Sequence, residues 1–351
     1  MHPKDASTLL INSIFMDTSP KNWRRTIPFV SATLAVVIFT LFTACNLLAK
    51  AERIVLKNGD LYNISETLGE KRLTLSKDVK FIFAERDGKV LFGKGWKTEL
   101  NNETEMLGET ELFALDLASG TTTLISGGVV DAIMGPGLNA YYTDKNRALF
   151  YFNLEKPVGT KKQEKVLFPS ISKDGSKLVY QKLNTDWAPG EQFDKALGLT
   201  ILDISTNKET QISKKADDWA AIFTPNGKKI IFASVNEYGI AGFFSMNVDG
   251  SGRTILTNKD QKKFTNLSVA LPSERPIFSG DGLYMIYESD KQIWLVKFSS
   301  DYTQVDQAKR IAYGINPKWE IQGQTLTVVA VPGQSGEDGV ITVDLNGKLI
   351  R

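Results

Sequence analysis

Beyond residue 50 the chain is written in short runs where apolar residues either follow one another or alternate with polar ones, separated by Gly, Asp, Asn and Ser. A period of two with such punctuation predicts strands and tight turns. Residues 169–180, 221–232 and 276–287 align with one another. Each reads as an apolar strand, a turn at Asp174-Gly175, Asn226-Gly227 or Asp281-Gly282, and a second apolar strand. This is a strong short-range hairpin signal. Weaker copies turn at Gly88, Gly137 and Gly323, so that six pivots recur at intervals of 38 to 55 residues. A second hairpin follows in each repeat, as in residues 112–117, 199–204, 244–249 and 340–345, with turns such as Ala118-Ser119-Gly120 and Gly250-Ser251-Gly252. Two hairpins per repeat give four antiparallel strands.

Repeats of this length, each a four-stranded unit apolar on both faces, predict an all-β chain folded as a six-bladed β-propeller of four-stranded antiparallel blades. A closed ring must hide its end strands. Residues 61–64 and 72–75 precede the first pivot by too little for a full blade and are expected to complete the sheet of the last repeat. Packed instead as a reduced blade of their own, they would make the count seven.

The N-terminus is of another kind. Residues 26–49 carry no charge and follow Lys21, Arg24 and Arg25. As a helix they would reach roughly 36 Å, enough to cross a bilayer core, and the basic flank would hold residues 1–25 in the cytoplasm. The domains expected are thus a cytoplasmic n-region (1–25), a signal or anchor helix (26–49) and one propeller (50–351). The run Leu41-Phe42-Thr43-Ala44-Cys45 resembles the lipobox of bacterial lipoproteins, with Phe42 where that family has Leu, Val or Ile. The resemblance implies lipidation at Cys45. The alternative is an uncleaved anchor, and both place the propeller outside the cytoplasmic membrane, tethered at its N-terminus.

Charge and composition narrow the chemistry. The 351 residues hold 42 Lys and Arg against 40 Asp and Glu, and residues 46–351 hold 38 of each. Such a balance argues against a nucleic-acid surface. The only histidine is His2 and the only cysteine Cys45. Triads, Cys-His pairs, His-ligated metals and internal disulfides are therefore excluded from the body of the chain. No metal or cofactor is expected, because the Asp-Gly and Asn-Gly turns lack the alternating carboxylates of a calcium loop.

The pivot pattern of Pro or Ala, an apolar residue, Phe or Ile, Ser or Thr, then Asp or Asn before Gly and a Lys-rich apolar strand, resembles the TolB-type propeller repeat over roughly residues 80–350. The resemblance implies an envelope propeller that binds a partner protein or peptide segment. The α/β domain that precedes the TolB propeller has no room here. The same repeat also caps serine peptidases and builds pectin-degrading lyases. The peptidases need a G-x-S-x-G nucleophile, which Gly333-Gln334-Ser335-Gly336-Glu337 does not supply, and the lyase type uses histidine ligands absent here. The expectation is a binding module or scaffold that is not an enzyme. The alternative is a carbohydrate-binding or carbohydrate-active propeller working through a carboxylate pair.

The expected recognition face lies on the loops between the second and third strands of blades one, three, four and six. Trp96, Glu103 and Glu105 stand in the first, Asp186, Trp187, Glu191 and Phe193 in the next, and Tyr238 in that of blade four. Aromatic anchors among carboxylates are typical of interfaces and sugar sites. Alternatively Trp96 and Trp187 plug their own blades. Trp219, Trp294 and Trp319 are expected to pack in the core, and Lys161-Lys162 to lie in a solvated turn.

Overall fold

The computed structural model describes residues 53–65, 69–95, 110–185, 195–235, 241–256, 276–279, 281–289, 291–319, 325–330 and 340–350. The expected N-terminal helix and Cys45 lie outside them. The described residues form antiparallel sheets. The first holds β1 (Arg53–Lys57), β2 (Asp60–Ser65) and β3 (Gly69–Arg72). Blade one follows with β4 (Val79–Arg86), β5 (Lys89–Gly95), β6 (Thr110–Asp116) and the start of β7 (Thr122–Met134). The rest of β7 opens blade two, continued by β8 (Asn139–Asp144), β9 (Leu149–Asn153) and β10 (Lys156–Gln163).

Blade three is β11 (Val166–Ile171), β12 (Lys177–Leu183), β13 (Ala196–Asp203) and β14 (Lys208–Gln211). Blade four is β15 (Trp219–Phe223), β16 (Lys229–Val235), β17 (Ala241–Asn247) and β18 (Thr254–Ile255). Blade five is β19 (Ile277–Phe278), β20 (Tyr284–Ser289), β21 (Gln292–Phe298) and the start of β22 (Val305–Trp319). Blade six takes the rest of β22 with β23 (Thr325–Ala330), β24 (Val340–Asp344) and β25 (Leu349–Ile350).

This is the all-β propeller architecture, with six four-stranded blades. Of the two placements left open by the sequence, completion of the last repeat is corrected, and a reduced sheet of its own is what the described residues form. Blade six has its own four strands, and β1 to β3 form a separate three-stranded sheet against blade one. The physical reason is local. Asn58 and Gly59, both at positive φ (53° and 78°), fold β1 and β2 into a two-residue hairpin, and Ile54, Leu61 and Leu73 then pack on Val79, Val90 and Phe92 of blade one.

Successive side chains of a strand point to opposite faces, and here both faces are covered. In β16, Ile230 and Phe232 join the apolar cluster toward blade three, whereas Ile231 and Ala233 join that toward blade five. A like cluster fills each contact between consecutive sheets. Trp219 and Trp294 pack on the cluster between blades four and five, and Trp319 on that between blades five and six, with its Nε1 donating to the Ile277 carbonyl at 3.0 Å.

The pivots are locked by their own side chains. Ser172, Thr224 and Ser279 occupy one equivalent position, and each hydroxyl donates to the Asp174, Asn226 or Asp281 side chain (2.6, 2.8 and 2.5 Å). Each also accepts the amide of the residue five further on, at 3.0 Å. That residue opens the second strand, so the turn sets the register of the hairpin. The pivots also index the blades. A Cβ at Gly175 would stand 2.7 Å from Pro136 of blade two, and one at Gly282 would stand 2.9 Å from Pro225 of blade four.

Gly175, Gly227 and Gly282 all have positive φ, but a Cβ at Gly227 meets nothing within 4 Å. Gly227→Ala is expected to cost roughly 1–2 kcal/mol, the left-handed penalty alone. Gly175→Ala adds a collision with a rigid ring, for a further ~1–3 kcal/mol. Urea midpoints of the two variants check the ranking, which equal losses would contradict.

Candidate functional site

Trp96, Glu103, Glu105, Asp186, Trp187, Glu191, Phe193 and Tyr238 all lie outside the described residues. The described residues instead form a cleft of about 200 Å³ between blades two and three. One wall is blade two: Pro136 of its pivot, Asn139 and Tyr141 of β8, Tyr151 of β9 and Lys162 of β10. The other is Ile171, the Asp174-Gly175 pivot and Ile204 of blade three.

The strand register builds the first wall. Asn139 pairs with Asn153 and Tyr141 with Tyr151, so alternation brings all four to one face. Tyr151 Oη donates to Asn139 Oδ1 at 2.8 Å, and Asn139 Nδ2 donates to the Pro136 carbonyl at 3.3 Å. The amide is held in place. The two tyrosine rings lie 5.4 Å apart, and Lys162 Nζ sits 5.4 Å above the Tyr151 ring. Lys162 has no carboxylate partner among the described residues. It belongs to a strand, not to the turn expected from sequence, and only its neighbour Lys161 makes a surface ion pair, with Glu164.

Tyr141 is the informative residue. The residue as a whole is only 2 % exposed and it lines the cleft, where no described residue hydrogen-bonds to its Oη. Burial, then the nearby Tyr151, pushes its pKa up to about 12. The hydroxyl is therefore a neutral donor and acceptor at the cleft wall. On the other wall the Ser172 hydroxyl, the Ser176 amide and the Ser176 hydroxyl hold the Asp174 carboxyl down at about 2. The cleft thus presents one free phenol, one unpaired ammonium, apolar ring faces, and a carboxylate already committed to its own turn.

A second polar cluster is closed to ligands. Asp218, fully buried before β15, accepts from Arg253 Nη1 at 2.6 Å and Nη2 at 2.9 Å, from Ser234 Oγ at 2.6 Å and from Ser213 Oγ. The guanidinium lies over Phe232 and Phe244, 4.9 and 4.7 Å from their ring centres. Every acceptor there is engaged, so this is a pin between blades three and four.

No protein-family model and no curated protein matches the chain. Solved structures do. An oligogalacturonate lyase in complex with manganese is 14% identical, covers 87% of this chain and 86% of its own, and superposes with a TM-score of 0.56. An oligogalacturonate lyase from Vibrio parahaemolyticus is 14% identical over 86% and 85%, with a TM-score of 0.55. TolB from Acinetobacter baumannii, 14% identical over 92% and 69%, fits more loosely at 0.45 and adds no argument.

These likenesses establish a shared β-propeller fold. They also correct the expectation that the chain is not an enzyme. Two of the propellers it superposes on over most of its length are lyases, so a fold of this kind gives no ground for setting catalysis aside. Among the described residues no group of three or more His, Cys, Asp and Glu side chains is placed to hold a metal ion, and none of the steps considered below runs through one.

The low pKa of Asp174 has a measurable consequence. A carboxyl depressed by folding stabilises fully above its unfolded value and loses that contribution as pH falls through its folded one. The ordinary value is 3.8 and the folded one about 2, so the window runs from about pH 4 down to about pH 2. Asp174→Asn is expected to flatten the fall in urea midpoint across that window, and an unchanged slope would contradict the assignment.

Proposed function

We propose that this chain is an exported, N-terminally tethered propeller that recognises an acidic sugar unit of envelope or extracellular polysaccharide. The observation that carries it is the cleft between blades two and three, with Tyr141, Asn139 and Lys162 in its wall. At about 200 Å³ it lies below the roughly 300–1,000 Å³ of drug-sized pockets, which suits one small ring. Pro136, Ile171, Ile204 and the tyrosine rings offer apolar surface to the faces of a pyranose, Tyr141 Oη a donor and acceptor to a ring hydroxyl, and Lys162 a charge for a carboxylate. The lyases that share the fold act, by their names, on oligogalacturonate. That substrate class agrees with what Lys162 would select.

Export is supported by the uncharged run 26–49 behind its basic cluster. Of the two readings drawn from sequence, the protein-binding one rested on loop residues outside the described set. The carbohydrate one has a described cleft, which holds one carboxylate, Asp174, and not the pair that carboxylate catalysis needs, so the proposal is one of recognition.

Calorimetric titration of the full chain with galacturonate oligomers and with neutral galactose oligomers tests this. The acidic oligomer is expected to bind more tightly. Tyr141→Phe should weaken it by about tenfold, the worth of one hydrogen bond, and Lys162→Met should erase the preference for acid. Chromatography of the oligomer after incubation reads turnover in the same samples. Equal or absent binding of both oligomers would sink the proposal.

A further inference from the structure

The blades repeat one another closely enough for their differences to be read position by position. Gly135 N donates to Asn139 O at 2.8 Å, as Ser172, Thr224 and Ser279 donate to Lys177, Lys229 and Tyr284 at 2.9, 2.9 and 2.8 Å. These bonds close the hairpin of each pivot, so the donors form one set of equivalent residues and the acceptors another. Lys89 of blade one joins the acceptors, because the residue before it is bonded from the residue after the third strand. Leu117 N donates there to Gly88 O at 2.9 Å, as Leu154 N does to Leu138 O at 2.8 Å and Ile204 N to Ser176 O at 3.0 Å. A third set is fixed by register. Met134, Ile171, Phe223, Phe278 and Trp319 each pair with the second residue of the following strand, namely Ala140, Leu178, Ile230, Met285 and Leu326.

Across these sets the border of the cleft between blades two and three is cut back three times. Where other blades carry Ser or Thr, blade two has Gly135, and a Cβ there would stand 2.7 Å from Ile171 Cδ1. The missing side chain lets Ile171 settle against the backbone of blade two. Where other blades carry Lys or Tyr, blade two has Asn139. Where other blades carry Met, Phe or Trp, blade three has Ile171, the shortest of the five. Asn139 and Ile171 both line the cleft.

The exchange at Asn139 also changes the chemistry. Elsewhere a lysine at this place reaches an acceptor on the third strand: Lys89 to Asp116, Lys177 to Asp203 at 3.6 Å, and Lys229 to Asn247 Oδ1 at 3.3 Å. In blade two Asn153 Nδ2 donates to Asn139 Oδ1 at 3.4 Å, and Tyr151 Oη donates to the same oxygen at 2.8 Å. Both lone pairs of that oxygen are thus taken. Of the two N–H bonds of Asn139 Nδ2, one serves the Pro136 carbonyl, and the other is what the amide has to offer a ligand.

We infer that the cut-back residues Gly135, Asn139 and Ile171 open the cleft, and that Asn139 is its specificity-determining residue, giving an amide N–H to the ligand's carboxylate beside Lys162. The ligand's identity rests on the acidic-sugar reading above, whereas the opening of the cleft rests on the blades alone.

Two measurements on the full chain in detergent test this. Calorimetric titration with galacturonate and with galactose oligomers reads binding, and nitration of Tyr151 by tetranitromethane, followed by peptide mass spectrometry, reads the opening without a ligand. Asn139→Asp keeps an acceptor for Tyr151 and Asn153 and exchanges the N–H for a negative charge. It is expected to weaken the acidic oligomer by about tenfold or more and the neutral one by less than about twofold. Ile171→Phe, which restores the residue of blades four and five, should abolish binding of both oligomers and slow the nitration. Ile171→Val lowers the wall further, should speed the nitration, and serves if Ile171→Phe fails to fold. Equal loss of both oligomers in Asn139→Asp, or no loss, would overturn the role of Asn139, and nitration rates that do not follow the size of the side chain at 171 would overturn the opening. If the unaltered chain binds neither oligomer, the sugar reading fails and the role of Asn139 with it, while nitration still decides on Ile171.

Discussion

Each blade of this protein is apolar on both faces, and almost every other feature follows from that. A sheet with one wet face can stand alone with a helix or a loop behind it, but a sheet whose β16 sends Ile230 and Phe232 one way and Ile231 and Ala233 the other needs a neighbour on each side. Stability is then a property of contacts between blades, as in other repeat proteins. The spacing between blades becomes a tight constraint, visible where Gly175 abuts Pro136 and Gly282 abuts Pro225 with no room for a methyl group.

Apolar clusters are indifferent to register, and the polar groups sunk among them supply it. Arg253 crosses Phe244 and Phe232 to reach Asp218 in bidentate fashion, and Ser213 of blade three donates to the same carboxylate. In the first sheet Asp60, also buried, takes up Arg72, Thr74 Oγ1 at 2.9 Å and the Lys77 amide at 3.1 Å. Burial opposes ionisation of that carboxyl, and the bonds from Lys77, Thr74 and Arg72 outweigh it and hold its pKa down. Such pairs add little net stability over an apolar substitute, yet removing one partner strands a buried charge at a cost of about 3–5 kcal/mol. Their effect is to make a wrong alignment expensive.

How much of this could be read in the sequence divides by range. The pivots were legible because their chemistry is local: a hydroxyl, a carboxyl two residues on and a glycine next determine the turn and the register after it. The blade count was nearly legible, and the placement of residues 53–72 was not, since pairing with blade six and standing as a separate sheet differ only in contacts distant along the chain. The cleft was invisible for the same reason. Tyr141 and Tyr151 look like core residues of a strand pair, and Lys162 like half of a solvated doublet. It takes the register of three strands and the nearness of the next blade to bring them together. The strand that carries Lys162 runs on through Gly159, where a Cβ would come within 2.6 Å of Tyr142 Oη.

The proposed cleft is a place where the stacking of two blades leaves polar groups within reach of a ligand. Within the propeller, turns and pins such as Asp218 satisfy many buried donors and acceptors, while Trp219 Nε1, Ser245 Oγ and Tyr287 Oη are buried with no partner among the described residues. The Tyr141 hydroxyl differs from these in lining the cleft, where a ligand can reach it. A fold held together by mutual saturation bears a cost at every buried exception. At the cleft the partner is left for a ligand to supply, and one hydroxyl calls for a small polar molecule.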